Sequence, residues 1–175
     1  MMRHSFISVT LTLLLHFHTL IAQVPSFTTH VRSIAPGGYY FICPFTQNMT
    51  DGYQMVLDST GNLQHYRHMN GFSIDFKQWP GERVSYWKAP YYFILNAQLQ
   101  KIDSITTLNG IHPDEHDLQI LPNGNFLMMG HENRTMDLSS DSIFMSSGLP
   151  GSKHSVVKAV VILEITPTKQ LAFEW

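Results

Sequence analysis

The chain has 175 residues, 43% of them hydrophobic and only 14% charged, a balance that supports a buried core and excludes a disordered polyelectrolyte. Its 11 lysines and arginines against 13 aspartates and glutamates give a formal charge of -2, which excludes a nucleic-acid surface built on clustered cations. The single cysteine, Cys43, excludes an internal disulfide framework, and its apolar neighbours predict a buried, inert thiol.

Residues 1–22 carry the signal-peptide pattern. Met1, Met2, Arg3 and His4 form a short basic head, residues 6–15 an apolar stretch, and Ala22 a small residue before a cleavage point. His16, His18 and Thr19 interrupt the apolar run before it reaches the roughly 20 residues a membrane-spanning helix needs. The expectation is a domain of residues 23–175, secreted or periplasmic, with no transmembrane segment.

No sustained helical stripe of apolar residues follows. Short runs of aromatic and β-branched residues separated by turn formers predict strands instead. The first unit comprises a strand at 38–42 and a hairpin of 53–58 and 63–66, turned by Ser59, Thr60, Gly61 and Asn62. A second unit pairs 72–76 with 83–87 across Trp79, Pro80, Gly81 and Glu82, then 91–96 with 101–105. The third pairs 116–121 with 125–129 through Pro122, Asn123 and Gly124, a strong hairpin signal, and ends in 160–165 and 170–175. Residues 131–156 read as an extended loop, on the second-to-third-strand connection.

Three units of up to four antiparallel strands predict an all-β chain, a partial β-propeller of three blades, with a sandwich of irregular hairpins as the other arrangement. Three blades leave two apolar faces open, and Trp175 closes an apolar strand without a polar cap. The expectation is therefore the N-terminal part of a longer propeller, whose partner would be the remaining C-terminal half. Trp79, Trp87 and Trp175 are expected to pack between blades. Asn48-Met49-Thr50 and Asn133-Arg134-Thr135 match the glycosylation sequon, both in expected loops.

The densest chemistry lies at residues 112–117, where two imidazoles and three carboxylates occupy six positions ahead of a strand. Leu118, Ile120 and Phe126 are expected to face the core. The histidines form no HExxH or other tight ligand spacing, so no metal is expected. His116 reads either as a structural residue tying a turn or as a ligand-facing imidazole; His112 reads as a loop residue and His131 as a rim residue. Asp114 and Glu115 read as solvated turn carboxylates.

The string HDLQILPNGNFLMMG, residues 116–130, resembles the signature of the arylsulfotransferase family. VVILEITPTKQLAFEW at 160–175 and GYQMVLDSTGNLQHY at 52–66 are similar to its hairpins, so the resemblance covers most of residues 38–175. It implies a propeller whose funnel transfers a sulfuryl group from an aryl sulfate ester to a phenol through a histidine intermediate, with no cofactor or nucleotide donor. It further implies His116 as the catalytic-site residue of this chain, binding sulfuryl oxygens or the leaving group, with Asp117 orienting backbone or a neighbouring imidazole; His112, Asp117 and His131 are the candidate substrate-binding residues. The attacking histidine would lie in a later blade, so this chain alone would show little or no transferase activity. The family's funnel arginine has no matched counterpart, and Arg134 stays unassigned. The competing readings are a non-catalytic secreted propeller that binds a ligand or partner and, less favoured by these residues, a hydrolase of sulfate or phosphate esters.

Overall fold

The computed structural model describes residues 24–32, 37–141, 147–148 and 151–175. The signal-peptide expectation for residues 1–22 lies outside them, as do residues 142–146 and 149–150 of the expected long loop. Among the described residues, eleven strands form three antiparallel sheets in chain order. The first sheet contains β1 (Tyr39–Ile42), β2 (Tyr53–Asp58) and β3 (Leu63–His68). The second contains β4 (Ile74–Trp79), β5 (Arg83–Lys88), β6 (Tyr91–Leu95) and β7 (Lys101–Ile105). The third contains β8 (His112–Ile120), β9 (Phe126–Met136), β10 (Ser155–Ile165) and β11 (Leu171–Glu174). Each sheet is a meander in which sequence neighbours pair, so the all-β expectation and its antiparallel units hold. Among the described residues no helix is long and apolar enough to cross a membrane.

One turn design recurs four times. At Asp58, Asn96, Leu121 and Thr166 the backbone N–H bonds the carbonyl four residues on, and each carbonyl accepts from the N–H three residues on. The third residue after each start is left-handed: Gly61, Leu99, Gly124 and Lys169. A three-residue loop ending in a left-handed residue is a standard hairpin closure. Polar side chains secure it. Asp58 Oδ1 accepts from the N–H groups of Thr60 and Asn62 at 2.9 and 3.0 Å, and Asn96 Oδ1 from those of Gln98 and Gln100 at 3.0 and 2.9 Å.

Alternation along the strands then decides the packing. In β5, Val84 and Tyr86 enter a cluster with Val56, Met69, Phe76 and Leu95, whereas Trp87 enters a second cluster on the opposite face. β6 divides in the same way, Leu95 towards the first sheet and Ile94 towards the third. The second sheet is therefore buried on both faces. Ser85, fully buried between them, accepts a hydrogen bond from Trp79 Nε1 at 2.8 Å. Leu118, Ile120 and Phe126 face the core as expected, joined by Met128, Val161, Leu163 and Ile165. β1 lies against β4, and β4 against β8, so the first strands of the three sheets are neighbours in space.

Four details differ from the sequence reading. β8 begins at His112, ahead of the expected 116, so His112 is a strand residue and not a loop residue, its backbone paired with His131. β9 continues to Met136 and β10 begins at Ser155, because their backbones pair from Ser155–Met136 through Ile165–Phe126 although their outer ends bury little. This places Asn133 on a strand opposite Lys158, whereas Asn48 occupies an exposed turn. Trp87 and Trp79 belong to the inter-sheet core as expected, but Trp175 is 77% exposed, on an outer face with Val160 and Phe173. Cys43 is partly buried, and burial pushes its thiol up to about 11, consistent with an inert side chain.

Leu163→Ala should lower unfolding free energy by about 2–5 kcal/mol, the range for deleting a buried leucine side chain. Gly124→Ala should cost about 1–2 kcal/mol through backbone conformation alone, because a Cβ there meets only Pro167 Cγ at an ordinary 3.7 Å. Urea denaturation measures both; an unchanged midpoint for Gly124→Ala would contradict the turn argument.

Candidate functional site

The site arises where β8 leaves its ladder. Pro113 pairs with Gly130 and Leu118 with Met128, so residues 114–117 stand opposite Met129 alone and bulge outward. Pro113 has no N–H to offer the ladder. Asp114 folds the bulge, its Oδ1 accepting the backbone N–H of His116 at 2.9 Å. The same oxygen lies 3.3 Å from His116 Nδ1. The His116 side chain is 65% exposed, with Asp114 at its Nδ1. The His116–Asp117 peptide is cis.

Asp117 ties the bulge to the second sheet. Lys77 Nζ on β4 pairs with Asp117 and, at 2.9 Å, with Asp75. Gln119 donates its side-chain N–H to the other Asp117 oxygen. Asp75 is mostly buried, and its backbone is left-handed at φ 55. Burial raises its carboxyl pKa above the ordinary value and the charge of Asp117 pushes the same way; Lys77 and the N–H of Leu118 oppose both. Tyr92 lies beneath, fully buried, with no hydrogen-bond partner for its hydroxyl. Burial is the main reason its phenol stays protonated, and the charges of Asp75, Asp117, Asp114 and Glu115 add to it.

His112 and His131 occupy the rung before the bulge. They are paired across β8 and β9, their rings 5.5 Å apart and inclined by 26°. His131 Nδ1 is shielded from water and has no hydrogen-bond partner. All four sequence-selected residues thus sit at one end of β8: His116 and Asp117 on the bulge, His112 and His131 beside it. Arg134 is engaged elsewhere, donating its Nε–H to Glu132 at 2.5 Å on the outer part of β9.

Sequence reasoning missed Asp75, Lys77 and Tyr92. A signal existed for two of them. Asp75 and Lys77 interrupt an aromatic strand at a spacing of two, which puts a carboxylate and an ammonium on one face. Nothing local links Tyr92 to the bulge.

Asp114, Glu115 and His116 offer two carboxylate oxygens and an imidazole nitrogen within 4.8 Å of one another, a set able to gather around a cation. Exposed acidic groups also cluster in this way without one. No protein-family model matches the chain, and no curated protein matches it.

The raised pKa of Asp75 sets a pH signature. The folded chain takes up this proton at a higher pH than the unfolded chain, whose reference is 3.8. Wild type should therefore gain stability relative to Asp75→Asn as pH falls from neutral through the raised value towards 3.8, and level off below it. Thermal melts of both proteins across this span test the sign, and a relative loss by wild type would refute the assignment.

Proposed function

We propose that the chain forms three blades of a secreted β-propeller of the arylsulfotransferase type, with the β8 bulge at its funnel. Three meanders stacked in chain order, their first strands adjacent, support blades. The apolar outer face of the third sheet, with Val160, Phe173 and Trp175, is what a further blade would cover. The observation carrying the activity is His116, an exposed imidazole backed at Nδ1 by Asp114.

In this reading a histidine of a later blade attacks the sulfur of an aryl sulfate. The bond from sulfur to the phenolic oxygen breaks, and the phenolate leaves. Protonated His116, paired with Asp114, gives its Nε2 proton to that oxygen and later takes a proton from the acceptor phenol as the sulfuryl group moves from nitrogen to oxygen. Asp117 keeps the bulge in place through Lys77, and the His112–His131 pair borders the aryl group.

One observation favours the second reading, a non-catalytic propeller module that binds a ligand or partner. Asp75, Asp114, Glu115 and Asp117 stand against Lys77 and His116, so the bulge attracts a cationic group more readily than a sulfate ester.

Titration of the protein with 4-nitrophenyl sulfate, followed by histidine imidazole NMR, separates the two. The transferase reading expects the His116 ring signals to shift, and the remaining response near β8 to weaken in His116→Gln. It also expects no turnover by residues 23–175 alone with phenol as acceptor. Unmoved His116 signals at millimolar ester would leave the binding-module reading.

A further inference from the structure

A second cleft of about 460 Å³ opens on the other side of the second sheet, away from the β8 bulge, where β3 passes the β5–β6 corner. Its chemistry is the reverse of the bulge's. Arg67, at the end of β3, is exposed and among the described residues has no ion-pair partner, although its charge acts on the nearby Tyr86 phenol. Lys88, at the end of β5, is half-buried. It donates to the carbonyl oxygens of Met69 and Asn70 at 2.5 and 3.2 Å, which fixes the ammonium on the cleft wall and leaves its third N–H unassigned. His68 is already engaged by Asp51 at 3.0 Å, and no carboxylate lines the cleft among the described residues.

Two aromatic residues, Tyr86 and Phe93, also line the cleft. Tyr86 and Phe93 stack at 5.1 Å and 23°, and Lys101 Nζ lies 4.8 Å over the Phe93 ring. Tyr86 is buried and backs Phe93, so the partly exposed Phe93 is the apolar element of the cleft, beside the exposed Arg67 guanidinium and the fixed Lys88 ammonium.

We propose that this cleft binds a small aromatic carboxylate, its ring against the partly exposed Phe93 and its charge between Arg67 and Lys88. The planar fork of Arg67 matches a carboxylate through two parallel hydrogen bonds, and the Lys88 ammonium adds a point charge. The volume suits a single-ring molecule. This inference does not rest on the sulfuryl-transfer reading.

Benzoate is the probe, with acetate supplying charge without a ring and benzyl alcohol a ring without charge. Binding is followed on the full chain by NMR chemical-shift mapping. Benzoate should perturb Arg67, Tyr86, Lys88 and Phe93 and saturate at lower concentration than either control. Arg67→Glu should weaken benzoate at least about tenfold, the loss expected when a charge-assisted pair becomes a repulsive one. Arg67→Gln repeats the test should the charge reversal lower the melting temperature. Equal binding of acetate or benzyl alcohol, an unchanged response in both Arg67 variants, or shifts confined to the β8 bulge would each overturn the proposal.

Discussion

Burial of the second sheet on both faces is the constraint on which the molecule depends. A strand covered on one side needs apolar residues at alternate positions only; β5 carries Val84, Ser85, Tyr86 and Trp87 in succession, all buried. The odd and even residues serve different neighbours, Val84 and Tyr86 the first sheet and Trp87 the third. The one small polar residue in the run, Ser85, is tolerated because Trp79 gives it a hydrogen bond, where an unpartnered hydroxyl would carry a desolvation cost. The outer sheets are anchored through this central layer.

Much of this architecture is legible in the residues. Asp58 with Gly61 and Asn123 with Gly124 announce their turns, since both pairs combine a side chain that bonds the turn backbone with a glycine suited to the left-handed position. The turns at Asn96 and Thr166 take the same path with Leu99 and Lys169 in that position, where no glycine marks them and the polar residue that opens the loop is the remaining signal. The outer halves of β9 and β10 escape a pattern reading because neither face of His131–Met136 is strongly apolar. Backbone pairing, which no side chain advertises, holds them together.

The bulge follows the same division. Its carboxylates and imidazoles stand out in sequence as a local concentration, and the fold does gather His112, His116, Asp117 and His131 at one strand end. What was hidden is the support. Lys77 lies forty positions before Asp117, and Tyr92 reaches this neighbourhood only when sheets two and three pack. Long-range pairs of this kind depend on register and sheet order, which local alternation does not encode.

The Lys77 bridge carries a consequence for assembly. Its ammonium belongs to one sheet and Asp117 to the next, and the backbone N–H of Leu118 on β8 helps to lower the pKa of the Asp75 carboxyl on β4. Each sheet could complete its own ladder with neither link made. The bulge acquires its Lys77 support only when the second and third sheets dock. A chain with every strand formed but its layers apart would keep the Asp114–His116 and His112–His131 contacts and lack the Lys77 bridge, so that bridge reports inter-layer closure and not strand formation.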